Sequence, residues 1–265
     1  MTTTPQTPPV PLEPQTSTPA IPLRLKLLTN LFSIPLMALA TGFFGSLSLI
    51  CGLWDRSGRQ QHAIARLWGR VMLALSFSPV RVLGADILKK APVAVYASNH
   101  LSYMDTPTLF ANLPFQFRIL AKAGLWKIPF VGWYLNRSGQ VPIDSDSPRS
   151  AIAGLLRGVA ALKSGMPLFV FPEGARSPDG HLHSPASGCA FMAIRAGVPL
   201  VPLTLVGTYE LLPIHVYTLR PRPLMLIAGD PIPTTGLTTK DADALAARLY
   251  AEISKTYYAH SDLTR

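Results

Sequence analysis

A histidine and an aspartate five positions apart are the residues in this sequence most suited to proton transfer. His100 and Asp105 lie in the segment 99–105 (NHLSYMD), directly after the apolar run Val93–Ala97. Histidine is the usual general base near neutral pH, and a carboxylate beside it fixes the tautomer and stabilises the imidazolium that forms. Five residues on a regular helix rotate by about 140°, so the two side chains can pair only if the chain turns between them. We therefore expect His100 on a loop and Asp105 as the N-cap of the next helix.

A second polar segment follows another apolar run. Residues 171–177 (FPEGARS) place Glu173, Gly174 and Arg176 in one tight turn after the run Leu168–Phe171. Arginine has a planar fork suited to phosphate, and glycine lets a backbone N–H approach an anion. Each segment alone has an ordinary explanation: a capping aspartate beside a polar loop histidine, and a turn carrying a surface ion pair.

The alternation of elements after residue 80 positions both segments. Short apolar runs predict the strands Val93–Ala97, Arg118–Ala121, Gln140–Ile143, Leu168–Phe171, Leu200–Leu205 and Leu224–Ala228. Helical patterns cover Thr106–Asn112, Pro129–Asn136, Arg149–Lys163, Ala186–Ala196 and Lys240–Tyr257. This order predicts an α/β fold: a single domain with a mostly parallel central sheet flanked by helices. In open sheets of this kind, ligands bind at the carboxyl ends of the strands.

The N-terminal part of the chain has a different composition. Residues 1–22 are rich in Pro and Thr and predict a disordered tail, whereas residues 23–78 predict a membrane-associated segment. Leu27–Leu53 contains no charged residue and could span a bilayer, or bend near Pro35 or Gly42 and dip into one leaflet. Residues 60–77 suit either an amphipathic helix on the membrane or an ordinary packed helix. Residues 79–265 form the predicted catalytic domain.

Charge and cysteine content narrow the partners. The net charge is +10 although only 14% of the residues are charged, and no nucleic-acid-binding motif is present. We therefore expect membrane lipid and an anionic substrate as partners, and no nucleic acid. The two cysteines, Cys51 and Cys189, form no CxxC pair, so we expect neither a disulfide framework nor a metal site. More arginines follow the apolar stretch than precede it, which favours a cytoplasmic catalytic domain on the inner membrane.

We assign structural or surface positions to three further aromatic residues and to the other histidines. Trp126, Phe130 and Trp133 fall at helical spacing; we favour a place in the core, although a headgroup contact or the lining of an acyl channel also fits. The other histidines lack a carboxylate at comparable spacing, and we expect them on the surface or in loops. These are His62, His181, His183, His215 and His260.

Taken together in this order, the segments resemble the glycerolipid acyltransferase family, best known for the 1-acylglycerol-3-phosphate acyltransferases. The family's first block is matched by Asn99, His100, Ser102 and Asp105, and its third block is similar to residues 171–177. Residues 121–133, which include Lys122, resemble the stretch between those blocks, and residues 196–202 resemble the fourth block. The likeness covers about residues 60–230.

The resemblance implies an acyltransferase domain at residues 79–265 in which His100 is the base and Asp105 its partner. Glu173, Gly174 and Arg176 would bind the acceptor's anionic head, with Asn99, Ser102 and Lys122 as further binding residues. The donor would be acyl-CoA or acyl-carrier protein, without a cofactor or metal. The acceptor would be 1-acyl-sn-glycerol-3-phosphate, giving phosphatidic acid.

Three departures from the family pattern leave the acceptor open. Ser145 stands where the family often has Arg, Ala175 replaces Thr, and Ser187-Gly188 replaces a Lys. Arg149 is a speculative substitute for the missing cation. The departures motivate two alternatives: another lyso-lipid acceptor, such as a lyso-aminolipid, and a non-catalytic protein that binds membrane lipid.

Overall fold

The structure, a computed structural model, describes residues 21–90, 93–128, 130–144 and 147–263. The predicted disordered tail lies almost wholly outside the described residues. Within them, the chain begins with a long apolar helical stretch and continues into an α/β sheet domain.

The apolar stretch Leu23–Cys51 is helical throughout. It comprises α1 (Leu23–Leu28), a π-helical turn at Thr29–Ser33 and α2 (Ile34–Cys51), with no break at Gly42. At about 1.5 Å per residue its 29 residues extend for ~43 Å, more than the ~30 Å hydrocarbon core of a bilayer. Among the described residues it is the one helix long and apolar enough to cross a membrane.

The next helix, α3 (Arg59–Leu75), packs against both α2 and the domain. Its buried face meets α5 (Asp105–Asn112), and at Gly69 the contact leaves no room for a Cβ. His62 is buried in this helix, where its Nε2 lies 3.1 Å from the carbonyl oxygen of Phe115. The prediction that His62 lies on the surface or in a loop is therefore wrong, because the α3 face that carries it packs against the domain.

Seven strands of the described chain form one sheet in the order β1-β7-β6-β2-β5-β3-β4. They are β1 (Val80–Leu83), β2 (Val95–Ser98), β3 (Arg118–Lys122), β4 (Val141–Ile143), β5 (Leu168–Val170), β6 (Leu200–Val206) and β7 (Leu224–Ala228). Neighbouring strands are parallel except β6 and β7. The predicted fold, a mostly parallel sheet flanked by helices, is confirmed.

The strand β2 lies at the centre of the sheet. Val95 is level with Leu168 of β5 on one side and with Leu200 of β6 on the other. Val95 belongs to the core under one face of the sheet, whereas Tyr96 belongs to the core under the other face. A strand covered on both faces explains why this stretch reads as a continuous apolar run.

Further helices cover the two faces of the sheet. They are α4 (Ala85–Lys89), α6 (Val131–Arg137), α7 (Pro148–Lys163), α8 (Gly188–Ala196), α9 (Thr208–Leu211) and α10 (Ala242–His260), with short 3₁₀ turns at Ala123–Lys127 and Thr239–Asp241. The sequence pattern did not predict β1, α4 or α9, each of which has five residues or fewer.

The spacing of apolar residues in α7 predicts a buried face that the structure forms only in part. That predicted face comprises Ile152, Leu155, Leu156, Val159 and Leu162. Ile152 is 53% exposed and Leu156 is 46% exposed, while Val159 and Leu162 are buried as expected. The side toward the sheet is occupied instead by Gly154, where an added Cβ would lie 3.0 Å from a backbone oxygen. Small residues let the helix approach the sheet closely, so they set its rotation.

The prediction of a core position for the aromatic stripe at residues 126–133 is also wrong. Phe130 and Trp133 are exposed, and Trp126 is half-buried. Trp126 lies in the 3₁₀ turn at Ala123–Lys127, and α6 begins only at Val131. The three residues therefore never share one helix, and their spacing does not define a buried face.

The contact between α3 and α5 can be tested at Gly69. An added Cβ would lie 2.5 Å from the backbone oxygen of Pro107, so Gly69→Ala must push the two helices apart. We expect a loss of about 1–3 kcal/mol in the free energy of unfolding, measured by denaturant titration in detergent. Gly124→Ala is the matched control because nothing lies within 4 Å of its added Cβ, and it should change stability by about 0.5 kcal/mol or less. Equal stability of both variants would contradict this account of the contact.

Candidate active site

The loop after β2 is fixed to the neighbouring strand by Asn99. Its side-chain amide donates to the carbonyl oxygen of Leu205 at 2.8 Å, and its Oδ1 accepts the backbone N–H of Leu205 at 2.8 Å. The side chain is buried, so it ties the end of β2 to β6. This anchor fixes the position of the backbone at the next residue, His100.

Ser102 fixes the other half of the loop. Its hydroxyl donates to the carbonyl oxygen of Leu212 at 2.6 Å and accepts the backbone N–H of Met104 at 3.0 Å. The hydroxyl is fully buried and is engaged as both donor and acceptor. This geometry assigns Ser102 to holding the loop, and its predicted role in substrate binding stays a prediction, as does that of Asn99.

Asp105 lies beneath the loop and is the first residue of α5. The prediction that it is the N-cap is wrong: Met104 takes that place, without a side-chain cap. The Asp105 carboxylate instead turns back toward the preceding loop. Its Oδ2 accepts hydrogen bonds from the backbone N–H of Leu101 at 2.6 Å and of Ser102 at 2.8 Å.

The same carboxylate oxygen meets the imidazole of His100. Nδ1 of His100 lies 2.8 Å from Oδ2 of Asp105, and the aspartate side chain is fully buried. Because a buried carboxylate favours a donor opposite it, Nδ1 carries the hydrogen and Nε2 is the basic nitrogen. The histidine side chain retains 12% of its exposure, whereas that of Asp105 retains none.

Phe171, at the end of β5, sets the plane of the ring. The two ring centroids are 3.7 Å apart with an interplanar angle of 13°, which is a stacked arrangement. The hydrogen bond at Nδ1 and this stacking together restrict both torsions of the His100 side chain. The sequence pattern assigned no role to Phe171, because stacking depends on which strands are neighbours.

The Glu173 carboxylate joins the two predicted segments. One oxygen accepts the backbone N–H of His100 at 3.2 Å, and the other accepts that of His183 at 3.3 Å. Burial raises the pKa of Glu173 from 4.5 to about 7, although these two N–H groups lower it. Its carboxyl group therefore binds a proton at a higher pH than an exposed glutamate does.

Arg176 binds the same loop two residues after His100, at Ser102. Its Nε donates to the carbonyl oxygen of Ser102 at 3.2 Å, and its guanidinium carbon lies 4.6 Å from the centre of the Tyr103 ring. The sequence signal missed Tyr103, which holds the guanidinium by a cation–π contact. In the next residue, the backbone N–H of Ser177 donates to the carbonyl oxygen of His100 at 2.9 Å.

The two remaining predicted residues lie at the same edge of the sheet. Gly174 is in an exposed turn with φ of 72°, a conformation that glycine adopts without strain. Lys122 is the exposed last residue of β3, the strand next to β5. The structure thus brings Asp105, Glu173 and Arg176 onto the loop that carries His100, and places Lys122 at the end of a neighbouring strand.

Comparison with known proteins agrees with this arrangement. A family model described as Acyltransferase matches residues 79–206, which include every predicted site residue. Residues 79–206, just under half of the chain, are therefore similar to this acyltransferase family. The match starts just before β1 and ends with β6, so it covers the part of the sheet that positions the loop.

Curated relatives carry the name 1-acyl-sn-glycerol-3-phosphate acyltransferase. The chloroplastic LPAT1 of Arabidopsis thaliana is 39% identical over 153 residues, which are 57% of this chain and 42% of the relative. The protein of Saccharomyces cerevisiae is 33% identical over 174 residues, 64% of this chain and 57% of the relative. The matches thus span about half the length of these curated relatives.

A solved structure shows the same fold. It is that of the 1-acyl-sn-glycerophosphate acyltransferase PlsC from Thermotoga maritima, with a TM-score of 0.72 and 27% sequence identity. The superposition covers 88% of this chain and 95% of that chain. The similarity therefore extends beyond the matched domain, to most of the chain.

The raised pKa of Glu173 predicts a pH-dependent stability. Between about pH 4.5 and 7 the folded chain binds a proton at Glu173 that the unfolded chain has lost. The contribution of Glu173 to the free energy of unfolding therefore falls as the pH rises through this window. Relative to Glu173→Gln, which cannot ionise, the wild type should lose up to about 3 kcal/mol between these limits and level off above pH 7. Denaturant titrations of both proteins at several pH values measure the difference. Parallel stability curves would contradict the raised pKa.

Proposed function

We propose that this chain is a membrane-bound acyltransferase that moves a fatty acyl group from a thioester donor to the hydroxyl group of a lysophospholipid. The observation that carries the proposal is the 2.8 Å hydrogen bond between Nδ1 of His100 and Oδ2 of Asp105. The contacts of this loop with Glu173 and Arg176, and the names of the curated relatives, support it.

The proposed reaction is a direct transfer. Nε2 of His100 takes the proton of the acceptor hydroxyl while the hydroxyl oxygen attacks the thioester carbonyl carbon. The carbon–sulfur bond breaks when the tetrahedral intermediate collapses, and the proton on Nε2 passes to the leaving thiolate. Asp105 stabilises the imidazolium that exists between these two proton transfers.

No acyl-enzyme and no resident cofactor are needed in this scheme. The Ser102 hydroxyl already donates to Leu212, so it serves as a structural group and not as a nucleophile. The donor is acyl-CoA or acyl-carrier protein, and both supply the same thioester chemistry.

The favoured acceptor is 1-acyl-sn-glycerol-3-phosphate, with phosphatidic acid as the product. Arg176 offers a fork for its phosphate: within the described chain the recorded hydrogen bond of this guanidinium uses Nε, which leaves the terminal nitrogens for an anion. Lys122 adds a second positive charge at the same edge of the sheet.

The replacement of the family's arginine by Ser145 motivates a different acceptor, such as a lyso-aminolipid. Ser145 itself lies outside the described residues. The third possibility, a lipid-binding protein without activity, lacks a comparable observation, because the proton-transfer pair is intact.

The proposed location is the inner membrane of the cell, with the catalytic domain in the cytoplasm. The apolar helix Leu23–Cys51 supports membrane association. The side of the membrane follows from the arginines at positions 56, 59, 66 and 70, which follow that helix.

The proton-transfer pair is tested by His100→Ala and Asp105→Asn. Asparagine keeps an oxygen for the backbone N–H groups of Leu101 and Ser102 but removes the charge that stabilises the imidazolium. We expect both variants to lose about 10²–10⁴-fold in kcat for acyl transfer, measured with labelled acyl-CoA in membranes. His260→Ala, an exposed histidine on α10, is the matched control and should retain full activity. Full activity of His100→Ala would remove His100 as the base.

The acceptor is identified by a panel run with both donor types. For the phosphate-bearing acceptor we expect Arg176→Gln to raise KM about 10–100-fold, the effect of losing a hydrogen bond to a charged group. Arg248→Gln, on the exposed side of α10, is the control. Higher turnover of a lyso-aminolipid, with no effect of Arg176→Gln, would assign the alternative acceptor. No turnover of any acceptor would favour the lipid-binding protein.

A further inference from the structure

The connection between β3 and β4 carries large apolar side chains that nothing in the described chain covers. Phe130 is 63% exposed and Trp133 is 56% exposed. Together with the exposed residues Leu125, Ile128 and Val131 they form what we call the β3–β4 patch. A cluster of exposed large apolar residues on one short segment marks an interaction surface.

The backbone of the patch holds its aromatic rings outward. Phe130 has φ of 63° and ψ of −51°, a conformation that costs a bulky residue on the order of 1–3 kcal/mol. Its ring packs against that of Trp133, with centroids 5.0 Å apart, instead of entering the core. A strained residue at an exposed apolar site is typical of a position that serves an interaction.

The patch adjoins the apolar N-terminal helix. The helix α6 packs against α2, and the Arg137 guanidinium donates to the carbonyl oxygen of Gly52 at 3.4 Å. The side of α2 that faces away from the domain is itself apolar and exposed, at Leu39 and Phe43 among other residues. The two exposed apolar surfaces are therefore carried by neighbouring elements.

The charged side chains of the segment that carries the patch all have one sign. Residues 121–137 contain the basic residues Lys122, Lys127 and Arg137 and no acidic residue. Aromatic side chains combined with lysine and arginine suit the headgroup region, where rings enter the apolar boundary and cations meet anionic lipid. A protein partner would have to match both features, whereas a lipid surface does so without specific geometry.

From this arrangement we propose that the β3–β4 patch is a second membrane-binding surface, which inserts Phe130 and Trp133 into the headgroup region of an anionic bilayer beside α2. The proposal does not depend on the acyl-transfer reaction, because its test measures insertion and not activity. Contact of the patch with the bilayer would fix how the whole chain is rotated about the axis of α2. Insertion of α2 alone leaves that rotation free.

The test places a fluorophore within the patch of the full chain. Val131→Cys is labelled with an environment-sensitive dye in a Cys51→Ser background, leaving Phe130 and Trp133 in place. The other cysteine, Cys189, is buried and its thiol pKa is raised by that burial to about 12, so it does not react. The protein is reconstituted in vesicles of phosphatidylcholine with phosphatidylglycerol, with and without lipids that carry a spin label near the headgroup.

We expect the dye at position 131 to show a blue-shifted emission that headgroup spin labels quench several-fold. The double change Phe130→Ser/Trp133→Ser should abolish both effects, and Lys127→Glu should weaken the quenching in anionic vesicles but not in phosphatidylcholine alone. The control label at Ala251→Cys lies on the exposed side of α10, which packs on the opposite face of the sheet from α3, and should remain unquenched.

Three outcomes would overturn the proposal. A water-like emission at position 131 in protein that floats with the vesicles would leave α2 as the membrane contact and exclude the patch. A blue-shifted emission without lipid quenching would show that protein covers the patch, either a second copy or another segment of this chain. Failure of the chain to float would exclude the patch and the apolar helix together.

Discussion

The geometry of the site depends on one buried carboxylate oxygen. Oδ2 of Asp105 accepts hydrogen bonds from the imidazole of His100 and from the backbone N–H groups of Leu101 and Ser102. A carboxylate without exposure needs such donors, because burial of an unpaired charge is costly. The three donors come from the loop immediately before α5. The loop must therefore keep this shape for the charge of Asp105 to stay compensated.

A second carboxylate binds the same loop. Glu173 accepts the backbone N–H of His100, so the N–H groups of residues 100, 101 and 102 are all bound by two acidic side chains. These acids lie far apart in sequence, and they meet because β2 and β5 are parallel neighbours in the sheet. The parallel arrangement brings the carboxyl end of each strand, and the turn that follows it, to one edge. The central position of β2 therefore determines that the two predicted segments form one site.

The sequence predicted the parts of the fold that depend on local pattern. Apolar runs located six of the strands, and the polar segments at their ends located His100, Asp105, Glu173 and Arg176. What the sequence did not predict depends on contacts between elements. The Asp105 carboxylate has two uses that the sequence cannot rank, capping its own helix or binding the preceding loop, and three donors in the folded loop decide for the second.

The remaining differences have the same origin. Ile152 and Leu156 fit an apolar helix face by spacing, but glycines on the sheet side set the rotation of α7. Phe171 gains its role only when β5 lies next to β2, so that its ring stacks on His100. The side chains of Phe130 and Trp133 have the composition of a core segment, yet the break between the 3₁₀ turn and α6 turns them outward.

A cluster of buried apolar residues links the apolar helix to the catalytic loop. Met37 of α2 is buried in the same cluster as Met104, which directly precedes Asp105, and as Leu212, whose carbonyl oxygen accepts the Ser102 hydroxyl. Nearer the start of the apolar helix, the side-chain amide of Asn30 donates to the Thr218 hydroxyl, in the loop that follows Leu212. Under the proposed function the acceptor lies in the membrane while its hydroxyl must reach Nε2 of His100. The shared cluster links α2 to the residue before Asp105 and so restrains the distance between the lipid surface and that nitrogen, since neither can shift without repacking the cluster.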